Sequence, residues 1–485
     1  MIKFIVKMHP EISIKSRSVR LRFTKILESN IKNILIKVDD EAWVKKSWDC
    51  IEVRGCEAKR DILIERLKCI PGITHFIEVK EYEYTDFDTT ADLVCQLFSK
   101  SIENKGFCVR VKRRGTHDFA SKDLERYVGG ALNQNVESAR VQLTKPEVTV
   151  KLEVANQKLF LNIQQHVGLG GFPIATQDAV LSLISGGFDS GVSTYLMMRR
   201  GLKTHYIFFN LGGSAHEIGV KQVSHFLWQK YGESHRVKFV AVDFQPVVAE
   251  ILENIDSGLM GVVLKRMMVR AASIAAEKLG IKALVTGEAL GQVSSQTVTN
   301  LNVIDRVSET LIVRPLVAMD KQDIINIARE IGTEDFAKTM PEYCGVISQK
   351  PNVAAPLHKV EATEANFHMP LIEQVVNDAK IYDIKDLNIE AKDTVSEVEV
   401  ISELNANQVI IDVRSDEEEE SDPLEIAGQE ILHIPFFKIA NKYSELDQSK
   451  EYLLYCKKGV MSKLQALYLI EQGHKNVKVF QPQAL

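Results

Sequence analysis

The sequence predicts a multidomain chain of mixed α/β and α+β architecture, and three observations lead to this prediction. The chain has 485 residues, too many for one hydrophobic core and enough for about three or four domains. Hydrophobic residues make up 45% and charged residues 26%, as in a soluble globular protein. Short apolar runs alternate with helical patterns along most of the chain, which is typical of sheets covered by helices.

The composition also indicates in which cell compartment the protein is expected. No apolar run approaches the length of about 18 residues that a membrane span needs, and residues 1–7 alternate like a strand rather than a signal peptide. Seven cysteines without CxxC spacing argue against a disulfide framework and against a zinc site. We therefore expect a cytoplasmic protein without a metal site, a prosthetic group or a membrane partner.

The first 170 residues predict two small modules. Residues 1–75 alternate strand, helix, strand and helix, which suits a ferredoxin-like α+β module. Residues 76–170 hold a helix, a strand, a second helix and two paired strands. The predicted elements span residues 2–7, 16–36, 48–54, 59–68, 74–79, 90–104, 107–112, 121–134, 148–154 and 158–164.

A cationic segment lies within the second module. Its cations can neutralise several phosphates at once, so they are candidate RNA contacts although the chain carries a net charge of −5. An ordinary solvated loop is an equally good interpretation from charge alone. The candidates are Lys112, Arg113, Arg114, Lys122 and Arg126.

Residues 171–395 predict a doubly wound parallel sheet followed by a helical connector. Near-continuous apolar runs at residues 179–184, 205–209, 237–244, 283–286 and 311–314 alternate with helical patterns. Ligands of such sheets bind at the carboxyl ends of the strands. Residues 350–400 are polar and are interpreted as connector and linker.

The turn after the first of these strands reads Ser185-Gly186-Gly187-Phe188-Asp189-Ser190 and opens a helix. Loop N–H groups and the helix dipole would together cradle a phosphate. The turn lacks the Gly-Lys-Ser/Thr ending of a Walker A loop. It resembles the PP-loop of ATP pyrophosphatases, which attach AMP to a substrate oxygen. A plain glycine turn is the alternative, but the two serines and the aspartate of this segment favour the PP-loop.

Three further features can join that site, although each alone is equally consistent with ordinary surface. Gly287 opens a polar loop that reaches Gln296 after a predicted strand. Phe208 and Phe209 end another strand, where main-chain groups and a ring can hold an adenine. Lys265 lies on a helix and can reach phosphate.

Residues 403–485 predict a separate small α/β domain with a cysteine at its centre. Cys456 directly follows an apolar strand and precedes a helix, so that loop N–H groups, the helix dipole and adjacent lysines favour the thiolate. The segment resembles a rhodanese domain, whose loop cysteine carries a persulfide. Met461 stands where many thiosulfate-using rhodaneses place a cation, which favours sulfur from a protein persulfide.

Taken whole, the chain resembles the tRNA uridine 4-sulfurtransferases of the ThiI type. The motifs that carry the resemblance lie, in order, at residues 111–115, 185–190, 287–296, 341–345 and 456–462. The resemblance implies a ferredoxin-like domain (1–75), a THUMP domain that recognises tRNA (76–170), a PP-loop domain with connector (171–395) and a rhodanese domain (403–485).

The resemblance also implies the chemistry. ATP with Mg²⁺ adenylates a tRNA uridine, a cysteine desulfurase loads sulfur onto Cys456, and Cys344 resolves the persulfide by forming a disulfide that a thiol reductant reopens. Asp189 is implied to be required for activation. Further implied partners are a sulfur-carrier protein of thiamine synthesis and, since one tRNA can span two subunits, a second copy of the chain. The implied ATP contacts are Leu183, Ile184, Ser185, Gly186, Gly187, Asp189, Ser190, Phe208, Phe209, Lys265, Gly287 and Gln296.

Two rival functions stay open at this point. A PP-loop amidating ligase would also adenylate an oxygen, but it has no use for Cys456. An RNA-binding protein with a degenerate nucleotide fold would not need Ser185, Asp189 and Ser190 together.

Overall fold

The structure is a computed structural model in which the chain forms two compact units. The first comprises Met1–Thr176 with Arg199–Gly201, and the second comprises Gln177–Met198 with Leu202–Leu485. The residues that the structure describes are 1–47, 50–211, 213–340, 351–387, 398–402, 404–405, 408–414, 419–420, 422–426, 428–435, 439, 442–457 and 460–482.

The first unit is built on one eight-stranded sheet with strand order β2-β3-β1-β4-β8-β7-β5-β6. Its strands are β1 (Ile2–Met8), β2 (Trp43–Lys46), β3 (Ile51–Gly55), β4 (Ile73–Glu83), β5 (Gly106–Arg114), β6 (Arg140–Val141), β7 (Val148–Ala155) and β8 (Lys158–Val167). Its helices are α1 (Pro10–Ser13), α2 (Arg17–Leu35), α3 (Arg60–Lys68), α4 (Phe87–Ile102) and α5 (Ser121–Asn135).

Strand β4 joins the two modules that the sequence predicted separately. It pairs antiparallel with β1 on one side and with β8 on the other, so that both modules share the sheet. The apolar cores nevertheless stay distinct: one gathers around Phe4 and Leu27, the other around Phe107 and Leu124. The predicted strand at 74–79 is therefore longer than expected, because its second half serves the second module.

The second unit contains a six-stranded sheet with strand order β13-β12-β9-β10-β11-β14. Its strands are β9 (Ala179–Leu183), β10 (Lys203–Asn210), β11 (Lys238–Asp243), β12 (Ala283–Val285), β13 (Leu311–Val313) and β14 (Lys380–Asp383). The helices around it are α6 (Phe188–Arg199), α7 (Gly213–Leu227), α8 (Gln245–Asn254), α9 (Met260–Lys278), α10 (Val298–Asp305), α11 (Lys321–Ile331), α12 (Glu334–Thr339), α13 (Leu357–Glu364) and α14 (Pro370–Asn377).

Five of these strands run parallel, as predicted, and the sixth corrects the prediction. β14 pairs antiparallel with β11 and covers the edge of the sheet. It lies in the stretch that we interpreted as helical connector and linker, where its four residues are too few and too polar to give a strand pattern.

The same unit contains a five-stranded parallel sheet with strand order β15-β19-β18-β16-β17. The short connection after β18 leads into α15, which packs against α7. The elements are β15 (Val400–Ile401), β16 (Gln408–Asp412), β17 (Glu430–His433), β18 (Glu451–Tyr455), α15 (Val460–Glu471) and β19 (Val477–Phe480).

None of the helices among the described residues has both the length and the apolarity needed to cross a bilayer.

Candidate active site

The loop at residues 185–190, here called the phosphate loop, connects β9 to α6 at the carboxyl edge of the parallel sheet. Gly186 has φ +85°, a conformation that residues with a side chain rarely adopt. Ser190 Oγ accepts the N–H of Ser185 at 3.2 Å and donates to the carbonyl of Gly187 at 3.2 Å. These bonds hold the loop closed around the first turn of α6, where main-chain N–H groups attract an anion.

Gly287 explains how the end of β12 approaches this loop. A Cβ built on Gly287 would lie 2.7 Å from the carbonyl carbon of Asp189 and 2.8 Å from the nitrogen of Ser190. Only a residue without a side chain fits against that backbone. Gly287 therefore brings the loop after β12 into contact with the phosphate loop.

Asp189 projects from the first turn of α6 and is held by two partners. Lys321 Nζ lies 2.9 and 3.0 Å from its two carboxylate oxygens, and Gln292 Nε2 donates to it at 3.0 Å. Lys321 is the first residue of α11, and its ammonium lies 5.6 Å from the centroid of the Phe188 ring. A lysine thus stands beside the phosphate loop, although the loop sequence contains none.

A second charged group surrounds the buried carboxylate of Glu288. Lys265 Nζ lies 2.9 Å and Arg314 Nε 2.7 Å from its oxygens, and Thr286 Oγ1 donates at 3.1 Å. Burial alone would raise the pKa of Glu288, but the two cations outweigh it and hold that pKa below its usual value. Arg314 also forms two hydrogen bonds to Asp305 at 2.9 and 2.5 Å.

His216 on α7 supports the phosphate loop from the other side. Its Nε2 lies 3.2 Å from the carbonyl oxygen of Ser185, and its ring packs edge-on against Phe208 with centroids 4.8 Å apart. Burial lowers the pKa of His216 to about 4, although the Ser185 carbonyl opposes the shift. The ring is therefore neutral at pH 7 and donates its Nε2 hydrogen to Ser185.

These elements enclose a cavity of about 380 Å³. Its wall is apolar where α9 and β10 supply Leu264, Met268 and Phe209, and charged where Lys265, Glu288, Asp189 and Lys321 meet. The predicted nucleotide contacts that line it are Leu183, Ile184, Ser185, Gly187, Asp189, Ser190, Phe209, Lys265, Gly287 and Gln296.

Two of the predicted nucleotide contacts, as far as the structure describes the chain, do not line the cavity. Phe208 is fully buried beneath α7, and Gly186 is covered by Met340. The sequence could not distinguish Phe208 from Phe209, because neighbouring residues of a strand point to opposite faces. Lys321, Arg314 and His216 were missed. Arg314 is the last residue of the predicted strand at 311–314, and this position at a strand end was the available signal.

The described residues contain no group of three or more His, Cys, Asp or Glu side chains that could hold a metal ion. A nucleotide-bound Mg²⁺ needs less, since it is held by phosphates, water and one or two carboxylates. Asp189 is the carboxylate of the phosphate loop and fits that requirement.

Cys456 lies in a second strand-loop-helix unit, between β18 and α15. Its side chain is buried, its Sγ accepts the N–H of Ser462 at 3.3 Å, and Ser462 Oγ lies 3.4 Å away. The neighbouring Lys457 pairs with Asp422 at 2.7 Å. The main-chain N–H that reaches the sulfur therefore comes from the first turn of α15, and Lys457, one of the lysines expected to favour the thiolate, is paired with a carboxylate instead.

Cys344 lies outside the described residues. The residues on both sides of that stretch are described, and Met340 and Pro351 both line the cavity.

The predicted RNA contacts divide into two groups. Lys112, Lys122 and Arg126 are exposed, and no carboxylate of the described residues forms an ion pair with them. Arg113 donates to the carbonyls of His117 and Phe119 and covers the Phe119 ring at 5.5 Å, so it shapes its own loop. Arg114 forms an ion pair with Glu153 at 2.8 Å.

Four family models match the chain in succession. They are the ThiI ferredoxin-like domain over residues 3–76, the THUMP domain over 84–164, the thiamine biosynthesis protein ThiI over 175–369 and the rhodanese-like domain over 396–481.

Relatives from several bacteria match over their full length and over nearly all of this chain. The tRNA sulfurtransferase of Colwellia psychrerythraea is 59% identical over 484 residues, covering 99% of this chain and all of the relative. That of Aliivibrio fischeri is 60% identical over 482 residues with the same coverage. Among solved structures, a 4-thiouridine synthetase in complex with RNA and bound ATP has a TM-score of 0.70 at 23% identity, covering 79% of this chain and 99% of its own. This last likeness concerns the fold.

Proposed function

Since the chain belongs to the family of tRNA sulfurtransferases, we propose that it makes 4-thiouridine in tRNA by adenylating a uridine and replacing its oxygen with sulfur carried on Cys456. The observation that carries the proposal is that one chain holds both a phosphate-binding cavity and a cysteine in an anion-binding loop. The structural neighbour with bound RNA and ATP supports both ligands. Neither an amidating ligase nor a catalytically inactive RNA-binding protein accounts for this pair.

In the first step, ATP occupies the cavity. The apolar wall with Phe209 and Leu183 suits the adenine, while the phosphate loop and the cations Lys321 and Lys265 suit the phosphates. The uridine O4 attacks the α-phosphorus and pyrophosphate leaves. The oxygen on C4, which is a poor leaving group by itself, can then depart as part of AMP. Mg²⁺, when bound with the nucleotide, offsets phosphate charge, and Asp189 is the residue that would hold it.

The lysines around the cavity are already paired with carboxylates, and phosphates can replace these partners when ATP binds. Lys321 forms an ion pair with Asp189, and Lys265 forms an ion pair with Glu288. Phosphate oxygens compete with these carboxylates for the same ammonium groups, whereas Arg314 remains to neutralise Glu288. The cavity can therefore accept a polyanion without leaving a buried carboxylate uncompensated.

In the second step, sulfur reaches the activated uridine. A cysteine desulfurase transfers sulfur to Cys456, giving Cys456–S–SH. The terminal sulfur, as persulfide or as hydrosulfide released from it, attacks C4 of the uridine and AMP leaves. When the Cys344 thiolate attacks Cys456 Sγ, the S–S bond to the terminal sulfur breaks and a Cys344–Cys456 disulfide forms. A thiol reductant then restores both cysteines.

The positions of the described residues around Cys344 support its role. The stretch that contains it starts after Met340 and ends before Pro351, and both residues line the nucleotide cavity. Helix α15, which follows the Cys456 loop, packs against α7, and α7 contacts the phosphate loop through His216. Sulfur carrier and nucleotide site thus belong to one compact unit.

Binding of tRNA is proposed for the first unit. Lys112, Lys122 and Arg126 are the exposed cations of the predicted surface, and they can contact phosphates without first breaking an ion pair. Arg113 holds the loop that follows β5, and Arg114 is ion-paired with Glu153 of β7. The same Cys456 persulfide can also serve a sulfur-carrier protein of thiamine synthesis, which the family name of residues 175–369 supports.

The test is a reconstituted reaction with unmodified tRNA transcript, ATP, Mg²⁺, a cysteine desulfurase and ³⁵S-cysteine. Wild-type protein is expected to place label in uridine, Asp189→Ala to carry label on Cys456 only, and Cys456→Ala to carry none. Label on Cys456 of the wild type without label in tRNA would contradict the proposal and favour another sulfur acceptor.

A further inference from the structure

The apolar cores of the first unit lie on one face of its eight-stranded sheet. Val53 of β3 belongs to the core around Leu27 of α2, and Val111 of β5 belongs to the core around Leu124 of α5. Successive side chains of a strand point to opposite faces. The residues that alternate with these core positions therefore lie on the other face of the sheet, here called the open face.

The open face continues from strand to strand across the ferredoxin-like module. Trp43 of the edge strand β2 lies opposite Arg54 of β3, and Arg54 lies opposite Lys3 of β1. Lys3 Nζ lies 3.2 Å from a carboxylate oxygen of Glu81 on β4 and 4.8 Å from the centroid of the Phe160 ring on β8. The module is thus joined on this face to the strands of the second module.

The far end of the open face is a predicted RNA contact. Phe160 lies opposite Glu153 of β7, and Glu153 lies opposite Lys112 of β5. In the strand order of the sheet, β2 and β5 are six strand spacings apart. At about 4.8 Å for each spacing, this corresponds to about 29 Å. A continuous surface of this length suits a polymer better than a small ligand.

Cations outnumber carboxylates on the open face. The cations are Lys3, Lys7, Lys45, Arg54, Arg110, Lys112, Arg114, Lys151 and Lys158. The carboxylates on the same face of these strands are Glu52, Glu81, Glu83 and Glu153. Because the whole chain carries a net charge of −5, this excess of positive charge is a local feature, and it attracts a polyanion.

Trp43 adds an exposed aromatic ring to this cationic face. The residue is 43% exposed, and its neighbour Val44 packs towards the core on the other face. Lys45 Nζ lies 6.0 Å and Arg54 Cζ 5.6 Å from the centroid of the Trp43 ring. Among the described residues, no carboxylate forms an ion pair with Lys45. An exposed ring flanked by cations is the arrangement with which proteins stack an unpaired base and contact its phosphates.

We propose that the open face binds a single-stranded segment of the tRNA, with Trp43 stacking on an unpaired base and Lys45 and Arg54 contacting its phosphates. The inference rests on the proposed function, and it extends the RNA surface from Lys112 to the opposite half of the sheet. Since every base has a face on which a ring can stack, this contact contributes affinity and not sequence specificity.

Binding of unmodified tRNA transcript to the full-length protein tests the proposal. Trp43→Ala is expected to raise the tRNA dissociation constant about tenfold, as loss of one base stack does, whereas Trp43→Phe keeps a ring and should stay within about threefold. Lys45→Ala should reduce the slope of log affinity against log salt by about 0.7, because one phosphate contact is lost, and Trp43→Ala should leave the slope unchanged. Quenching of tryptophan fluorescence by tRNA should be weaker in Trp43→Phe than in wild type.

The matched controls lie on α3, which packs on the other face of the sheet. Ile62→Ala removes a side chain of nearly the same exposure, 44%, and Lys68→Ala removes a surface cation. Both should bind tRNA like wild type. Wild-type binding by Trp43→Ala and Lys45→Ala would overturn the inference. A Trp43→Ala variant that binds tRNA normally but has a lower mass in sedimentation would also overturn it, because the ring would then contact a second copy.

The remaining outcomes separate this proposal from the proposed function. If Trp43→Ala does not fold, Lys45→Ala and the fluorescence of Trp43→Phe decide in the same way. Weaker tRNA binding by Lys112→Ala, together with full binding by Trp43→Ala and Lys45→Ala, would defeat only the present inference. A wild-type protein that shows the expected binding but never thiolates tRNA would defeat the proposed function and leave the open face as an RNA-binding surface.

Discussion

The phosphate loop and the Cys456 loop each connect a strand of a parallel sheet to a helix, and they differ in the side chains around them. In both, the first turn of the following helix lies where its main-chain N–H groups can attract a negatively charged atom. Around the phosphate loop, three cations are paired with three carboxylates: Lys265, Lys321 and Arg314 with Glu288, Asp189 and Asp305. Around the Cys456 sulfur, one N–H and one hydroxyl of Ser462 approach directly.

The comparison teaches that the turn provides affinity for an anion, whereas the side chains decide the chemistry. In the proposed function, the phosphate loop accepts and releases a polyanion, which exchangeable ion pairs allow. In the proposed function, the Cys456 loop holds one sulfur that changes from thiol to persulfide, and we expect the two contacts from Ser462 to suffice for this. The two loops should therefore respond separately to substitution.

The largest effect is expected for Asp189→Asn. The substitution keeps the shape of the side chain but removes the charge that holds Lys321, and tRNA thiolation should fall by about 100-fold to 1000-fold, as for loss of a group that acts on the transition state. Sulfur loading of Cys456 should stay at the wild-type rate, because that loop has its own contacts. The measurement is ³⁵S incorporation into protein and into tRNA in the same reaction.

Loss of sulfur loading in Asp189→Asn would contradict the independence of the two loops, since it would mean that each loop depends on the other. Asp447→Asn is the control; its carboxylate is exposed and bonds only within its own turn, to Ser449.

A second large effect is expected for Gly287→Ala. The added methyl would lie 2.7 Å from the backbone of Asp189, so either the phosphate loop or the end of β12 must move. We expect thiolation to fall about 100-fold, through weaker ATP binding or a misplaced Asp189, with Cys456 loading intact. Steady-state kinetics with ATP as the varied substrate check this, and a wild-type kcat/KM would refute the close packing. Gly130→Ala is the matched control, because no atom lies within 4 Å of a Cβ built on that helical glycine of α5.

Acid should destabilise the six-stranded sheet through its buried histidines. Burial lowers the pKa of His205 to about 4, with smaller effects of Lys203 and Lys238, and His205 Nδ1 accepts the N–H of Lys238 at 3.0 Å. In the unfolded chain His205 binds a proton near pH 6.5, whereas in the folded chain it binds one only near pH 4. The free energy of unfolding therefore falls as the pH drops through this window.

His205→Asn removes this titration and keeps an acceptor for Lys238. Between pH 7.5 and 5.0, the variant should therefore lose roughly 2 kcal/mol less stability than wild type. Urea unfolding followed by hydrogen exchange in β10 and β11 measures the difference. Equal losses in both proteins would show that His205 is protonated in the folded state.

The sequence predicted much of this architecture because its strongest signals are local. Apolar strands such as β9 and glycine turns such as residues 185–187 can be recognised within a few residues. For the site, the sequence could indicate only residues that lie within one loop or at one strand end. Lys321 lies 132 positions from Asp189, and only the folded sheet brings the two together. β14 was missed because a four-residue edge strand leaves almost no pattern. Phe208 was predicted as a nucleotide contact, although only Phe209 lines the cavity, because the sequence did not show which face of β10 each ring occupies.

The smallest effect is expected for Ser462→Ala, and it tests the other loop. The substitution removes the hydroxyl at 3.4 Å from Cys456 Sγ but keeps the main-chain N–H at 3.3 Å. A single hydrogen bond contributes about 1 kcal/mol, so loading of Cys456 should slow about fivefold while ATP binding stays unchanged. The matched control is Ser449→Ala, whose hydroxyl bonds to Asp447 at the surface. A loss comparable to that of Asp189→Asn would mean that the hydroxyl acts on the sulfur during transfer, and the main-chain N–H alone would then not suffice to hold it.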